Sequence, residues 1–153
     1  MKIFSEVGDG FLTLSKTKLV KKLKSLGHRF YQKRAEFIVE AREHRKNLKN
    51  IIKSFENERK AREWLVKNIK GIGFKEASHF LRNVGYKNVS LLDRHILRIL
   101  FENNLINNIP KSLTKRKYLE IEKNLERIAN ATNLNLAELD LYLWYSKTEK
   151  ILK

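Results

Sequence analysis

The stretch from Trp64 to Leu81, WLVKNIKGIGFKEASHFL, decides how this chain folds. Trp64, Leu65, Val66 and Ile69 recur with helical spacing, Gly71 and Gly73 interrupt it, and the spacing resumes with Ala77, Phe80 and Leu81. The pattern reads as helix, four-residue turn, helix. Gly71 and Gly73 permit a tight, left-handed backbone and leave no side chain between main-chain N–H groups and an approaching phosphate. The glycines alone support two readings. One is a phosphate clamp of Lys70, Gly71, Ile72 and Gly73 that grips a backbone without reading sequence; the other is an ordinary αα-hairpin whose glycines only cap and turn.

Lys75 sits in the first turn of the second helix, facing the positive end of the macrodipole, an electrostatic mismatch that structure alone gives little reason to choose. Chemistry gives one: cationic surroundings and partial desolvation favour the neutral amine, the form able to attack a sugar carbon. The plainer role is a phosphate contact. Eighteen residues on, Asp93 in VSLLDRHIL precedes another amphipathic stretch. Aspartate is an ordinary N-cap there. A capping carboxylate is also ionised and fixed, suited to stabilising an oxocarbenium-like sugar.

The remaining apolar residues follow the same helical period, with almost no strand-like alternation, so an all-α bundle of seven to eight helices in a single domain, 1–153, is expected. Ser15 opens a helix through Leu26 that Gly27 ends, and a second carries Phe30 to Ala41. A short one holds Leu48 to Phe55, and the next starts near Glu58. Gly85 stops the helix containing Lys75, and Ser112 or Thr114 opens the one after Asp93's. The break at Asn133 to Asn135 precedes a last helix reaching Tyr145.

Lys and Arg number 33 against 17 Asp and Glu, a net charge of +16 that draws polyanions at long range and makes nucleic acid the leading partner. Arg82, Arg94 and Arg98, with Lys70, are candidate phosphate contacts, and their use makes binding fall steeply with salt. No apolar run suits a membrane span, and MKIFSEVGDG has neither a charged leader nor an extended apolar stretch, so a cytoplasmic, nucleoid-associated protein without a membrane partner is expected. The absence of cysteine excludes disulfides, thiol nucleophiles and cysteine-ligated iron–sulfur clusters. His28, His44, His79 and His95 show no metal-ligand spacing with acidic partners, and no catalytic metal is expected.

GIGFKEAS followed by LLDRH resembles the helix-hairpin-helix DNA glycosylase superfamily, and within it KGIGFKEASHFLRNVG and the ending LYLWYSKTEKILK are similar to the archaeal short-type 8-oxoguanine DNA glycosylases. The likeness runs over nearly the whole chain from Gly8. It implies Lys75 as the nucleophile that forms a Schiff base with C1′ and then permits β-elimination, Asp93 as the catalytic carboxylate, and a monomer acting on duplex DNA with oxidised guanine or abasic sites. Missing cysteines set the chain apart from endonuclease III and adenine glycosylase relatives, which usually carry a four-cysteine iron–sulfur loop; the lysine favours a bifunctional lyase.

The resemblance further implies that Trp144 stacks on the extruded base with help from the terminal Lys153. Without it, Trp144 reads as core packing beside Leu141 and Tyr145. Phe30 or Tyr31 is the candidate for the opposing face, the other being core. No cofactor is implied, apart from a monovalent or divalent cation held by hairpin carbonyls. Members of this type carry further helices before the stretch matching Gly8, so a truncated chain with part of its pocket missing is expected. The competing function is a non-catalytic helix-hairpin-helix DNA-binding module or an inactive truncated homologue.

Overall fold

The computed structural model of the chain describes residues 2–148, with side chains at 5–146, and every regular element among them is helical. The chain divides into two compact units: residues up to 54 together with 67–71, and 55–66 together with residues from 72 onward. The boundaries fall after Ser54, ahead of the helix that starts at Glu58, inside that helix after Val66, and inside the glycine turn after Gly71, and no Pro- or Ser-rich linker marks them in the sequence.

The first unit holds α1 (Lys2–Val7), α2 (Gly10–Thr13), α3 (Lys16–Ser25), α4 (Tyr31–Ala41), a 3-10 turn at Arg42–His44 and α5 (Leu48–Lys53). Ser15 caps α3 by accepting the Lys18 N–H at 3.4 Å. Gly27, at φ 74°, ends it, and the His28 N–H reaches back to the Leu23 carbonyl at 3.0 Å. α3 and α4 pack together around Leu19, Leu23 and Ala35, with Tyr31, Ile38 and Val39 against them. Arg42 donates through Nε to the Phe11 carbonyl at 2.8 Å and through Nη2 to the Gly10 carbonyl at 3.3 Å, tying down the turn of α2. The sequence reading omits α1 and α2. They are too short to show a helical period of their own.

The second unit holds most of α6 (Glu58–Asn68), then α7 (Phe74–Asn83), α8 (Arg94–Glu102), α9 (Lys115–Ala131) and α10 (Leu136–Thr148). Its core joins Ile96, Leu97 and Leu100 of α8 to Ile121, Leu125 and Ala129 of α9 and Leu136 and Leu139 of α10. Local signals again set the ends. Thr114, not Ser112, caps α9. Asn135 and Glu138 exchange side-chain and backbone hydrogen bonds at 2.9 and 3.0 Å to open α10. Gly85, at φ 99°, closes α7. Among the described residues, no helix is long and apolar enough to cross a membrane.

The core of this unit also contains an ion pair. The Arg62 guanidinium donates to both Glu122 oxygens at 2.6 Å, with Arg62 0% and Glu122 1% exposed. Glu122 Oε1 accepts from the Ser90 N–H at 2.9 Å and the Ser90 hydroxyl at 3.0 Å, and Arg62 reaches the Ser78 hydroxyl at 3.1 Å. The guanidinium lies against the rings of Phe74 and Tyr118, at 5.1 and 5.3 Å from their centroids. Burial alone would push the Glu122 carboxyl up. The Arg62 hydrogen bonds and charge, with those from Ser90, outweigh it and hold Glu122 below the usual carboxylate range.

A depressed carboxyl contributes stability above its unfolded value and loses it as pH falls through the folded one. The melting temperature should therefore be level near neutrality and drop below about pH 4.5. Glu122→Gln should cost ~3–5 kcal/mol at pH 7, because it leaves a buried guanidinium without its counter-charge. Its acid limb should also be shallower. Thermal unfolding followed by circular dichroism from pH 7 to pH 3 checks both expectations.

Candidate active site

Two helix N-termini frame the candidate chemistry. The turn from Ile69 to Gly73 joins α6 to α7, and its glycines have different duties. Gly71 is left-handed, at φ +80°, and a Cβ there would lie 2.4 Å from a ring carbon of Phe37. Gly73 is extended, with φ −96° and ψ −176°, a conformation open to any residue. The expectation that both glycines serve a left-handed turn is thus corrected to Gly71 alone.

Gly73 is instead the N-cap of α7, and its N–H is already taken by the Glu76 carboxylate at 3.2 Å. A phosphate approaching this turn finds the N–H groups of Phe74 and Lys75, which as first-turn donors lack intrahelical acceptors. Lys70 is exposed and paired with Glu40 at 3.1 Å. Such a surface pair is weak, so the ammonium can exchange its carboxylate for a phosphate at small cost. Ile72 is half-buried.

Lys75 is exposed, second in α7. Ser78 and Arg82 follow it by three and seven residues, on the same stripe of the helix. The protein itself leaves the Lys75 amine open to solvent.

Asp93 caps α8: its Oδ1 accepts the His95 N–H at 2.8 Å and the Ile96 N–H at 2.9 Å. Both bonds use one oxygen, leaving the other free of hydrogen bonds among the described residues. Arg82, from the same α7 stripe as Lys75, feels the charge of Asp93: burial lowers the Arg82 guanidinium and Asp93 opposes that shift. Arg82 is ion-paired with Asp140 of α10 and partly buried. It is therefore committed inside the protein, unlike Arg94 and Arg98, which are exposed.

The two aromatic expectations separate cleanly. Tyr31 packs into the α3–α4 core with the Lys24 ammonium 5.7 Å from its ring centroid, whereas Phe30 is 57% exposed with the Arg29 guanidinium 4.9 Å from its own. Phe30 is therefore the aromatic available to a ligand. Trp144 is half-buried and meets the His95 ring edge-on at 4.9 Å. Packing in a core beside Leu141 and Tyr145 does not occur, since those residues are 47% and 51% exposed. The tryptophan instead lies beside the first turn of α8, two residues from Asp93. Lys153 lies outside the described residues.

Sequence reading missed His95 as the neighbour of Trp144, the Arg82–Asp140 pair, and the buried set of Arg62, Ser78, Ser90, Tyr118 and Glu122. Arg62 and Glu122 are 60 residues apart, and each alone reads as a solvated helix charge. One signal was available: Tyr118 and Glu122 are a turn apart in a helix whose apolar face they share. Among the described residues, no three His, Cys, Asp or Glu side chains are grouped to hold a metal, so a cation at the hairpin would rest on backbone carbonyls alone. The basic excess is uneven: the first unit holds sixteen Lys and Arg against five Asp and Glu, so most of the long-range attraction for a polyanion arises there.

Comparisons with known proteins point the same way as this geometry. A family model described as 8-oxoguanine DNA glycosylase matches residues 1–134. The 8-oxoguanine DNA glycosylase/AP lyase of Methanocaldococcus jannaschii is 64% identical over 153 residues, covering 100% of this chain and 73% of the relative. The enzyme of the same name from Korarchaeum cryptofilum is 56% identical over the same span. The crystal structure of the Methanocaldococcus jannaschii 8-oxoguanine glycosylase/lyase in complex with a 15mer DNA containing 8-oxoguanine superposes with a TM-score of 0.90 at 64% identity, covering 99% of this chain and 73% of that one.

The unequal duties of the two hairpin glycines can be measured. Gly71→Ala should cost ~1–3 kcal/mol, combining a left-handed backbone with a collision against the Phe37 ring. Gly73→Ala should cost less than about 1 kcal/mol, since its Cβ meets only the end of the Glu76 side chain at 3.1 Å. Urea midpoints at unchanged m-value report the difference.

Proposed function

Since this chain belongs to the 8-oxoguanine DNA glycosylase family, we propose for it the two linked activities of its relatives, release of 8-oxoguanine from duplex DNA and cleavage of the abasic site left behind. It is a base-excision-repair enzyme, a DNA N-glycosylase with AP lyase activity. Two observations support the assignment of residues: Lys75 is exposed at the start of α7, and Asp93 at the start of α8 uses one oxygen only for its cap.

In this reading the duplex is gripped by its backbone at the hairpin, through the first-turn N–H groups of α7 and the exposed cations Lys70 and Arg94. The damaged nucleotide leaves the stack, and its base is held by an aromatic face, for which the half-buried Trp144 beside the first turn of α8 is the candidate. The Lys75 amine attacks C1′ as the bond from C1′ to the base nitrogen breaks. Asp93 stabilises the positive charge that develops on the sugar, and the departing base takes up a proton. Transfer of one amine proton to the departing base, and departure of the ring oxygen O4′ from C1′ with a proton from solvent, give the protonated Schiff base, which keeps the second amine proton.

That iminium makes the C2′ hydrogen acidic. Removal of this proton expels the 3′ phosphate by β-elimination, and water then frees Lys75. An amine and a carboxylate suffice for these steps, so we assign no cofactor to them, and a chain without cysteine makes no thiolate-ligated iron–sulfur cluster. A duplex DNA substrate supports a nucleoid-associated location in this reading.

Borohydride reduction of a reaction on duplex DNA carrying 8-oxoguanine should trap a covalent adduct. Lys75→Gln should abolish the adduct while leaving duplex affinity within about threefold, because many other cations contact the phosphates. A folded protein that binds the duplex yet forms no adduct would instead be a non-catalytic DNA-binding module.

A further inference from the structure

The Tyr118 side chain touches both halves of the candidate site from behind. Its ring packs on Phe74, the residue before Lys75, at 5.5 Å between centroids. Its hydroxyl shares a hydrogen bond with that of Ser78, three residues after Lys75, at 3.3 Å. The same hydroxyl donates to the Ser90 carbonyl at 2.6 Å and accepts the Leu92 N–H at 3.3 Å, one residue before Asp93. Tyr118 thus grips α7 on either side of Lys75 and grips the segment that delivers Asp93.

One turn along α9, Glu122 holds the Ser90 N–H and hydroxyl. The carbonyl and N–H of Ser90 are therefore both anchored to α9, and the N–H of Leu92 as well. A phenylalanine would fill the same volume without these bonds. Tyr118 is 1% exposed, and burying a hydroxyl there gains nothing unless its partners matter. Burial pushes the phenol up, so it stays protonated and keeps its proton for the Ser90 carbonyl.

We propose, resting on the assignment of Lys75 and Asp93 above, that Tyr118 is a positioning residue for the reaction: its hydroxyl sets the spacing between the helix that carries the amine and the segment that ends in the carboxylate. Attack at C1′ and stabilisation of the developing sugar cation require both groups at one carbon. A displacement of about 1 Å between them costs on the order of a hundredfold in rate. Tyr118 touches no reacting atom and acts only through this spacing.

Tyr118→Phe in the full chain keeps the ring on Phe74 and deletes the hydroxyl. Single-turnover excision from a duplex with one 8-oxoguanine should show a rate constant lowered by about tenfold or more. The reacting fraction and the duplex Kd should stay within about twofold of wild type, since the phosphate contacts are untouched. A purely structural role would lower the reacting fraction and spare the rate constant of the folded molecules. That outcome, or a wild-type rate constant, would overturn the proposal.

Ser78→Ala cuts the α7 side of the same link and also removes the hydroxyl that accepts from Arg62, so its stability is measured beside its rate constant. It should slow the reaction in the same way, with no further loss when combined with Tyr118→Phe; independent losses would contradict a single shared link. Should Tyr118→Phe fail to fold, the rate constant of Ser78→Ala decides. The wild-type control separates the two levels of inference: if wild type forms no borohydride adduct, the activity itself is wrong and this proposal falls with it. If wild type reacts and both variants match it, only the positioning role is lost.

Discussion

A charge pair placed wholly inside a protein needs most of its hydrogen-bonding capacity met from within, and the second unit is arranged around that requirement, with the Arg62 Nε–H left without a hydrogen-bond partner among the described residues. Desolvating Arg62 and Glu122 costs several kcal/mol for each ion, recovered only with good geometry and further partners. The two-pronged contact at 2.6 Å supplies the geometry; Ser78 and Ser90 supply the partners. Because those partners lie on α7 and on the segment before α8, meeting the demands of one pair ties α6, α7, α9 and that segment together. Removing either charge strands the other, so the arrangement holds as a set.

The same arrangement explains why a loop can present a carboxylate with fixed geometry. Between α7 and α8 the chain is irregular, yet the Ser90 N–H, hydroxyl and carbonyl and the Leu92 N–H are all bonded to α9 side chains. Asp93 then enters its cap with the preceding backbone already fixed, and the cap anchors one of its oxygens. Lys75 is treated differently: it stands in solvent at the start of α7, where only the backbone of its helix is held. In the function proposed above, the carboxylate is held in place by the fold and the amine is left exposed to the substrate.

Much of this was legible in the sequence where the deciding chemistry is local. The glycine turn between α6 and α7, the stops at Gly27 and Gly85, the caps at Ser15 and Asp93 and the break at Asn133 all depend on a residue's own backbone preferences or on bonds within three or four positions. Eight of the helices follow from apolar periodicity. The two short N-terminal ones escape because six and four residues are too few to establish a period. Gly73 looks like Gly71 in the sequence, but the backbone it adopts is set by Glu76 and by the start of a helix, so the two glycines differ only in the folded chain.

By itself, the sequence determined the all-helical architecture, the hairpin, the lysine and aspartate at two helix starts, and a charge suited to a polyanion, since each depends on composition or short-range spacing. Tertiary structure alone decided which of Phe30 and Tyr31 is core, that Arg82 turns inward to Asp140, that Trp144 meets His95, and that Arg62, Ser78, Ser90, Tyr118 and Glu122 form one buried set. The reason is physical: a buried polar group is tolerated only if a partner reaches it, and here the partners are separated by as many as 60 residues of chain. No local pattern encodes such a meeting; only the packed helices bring it about.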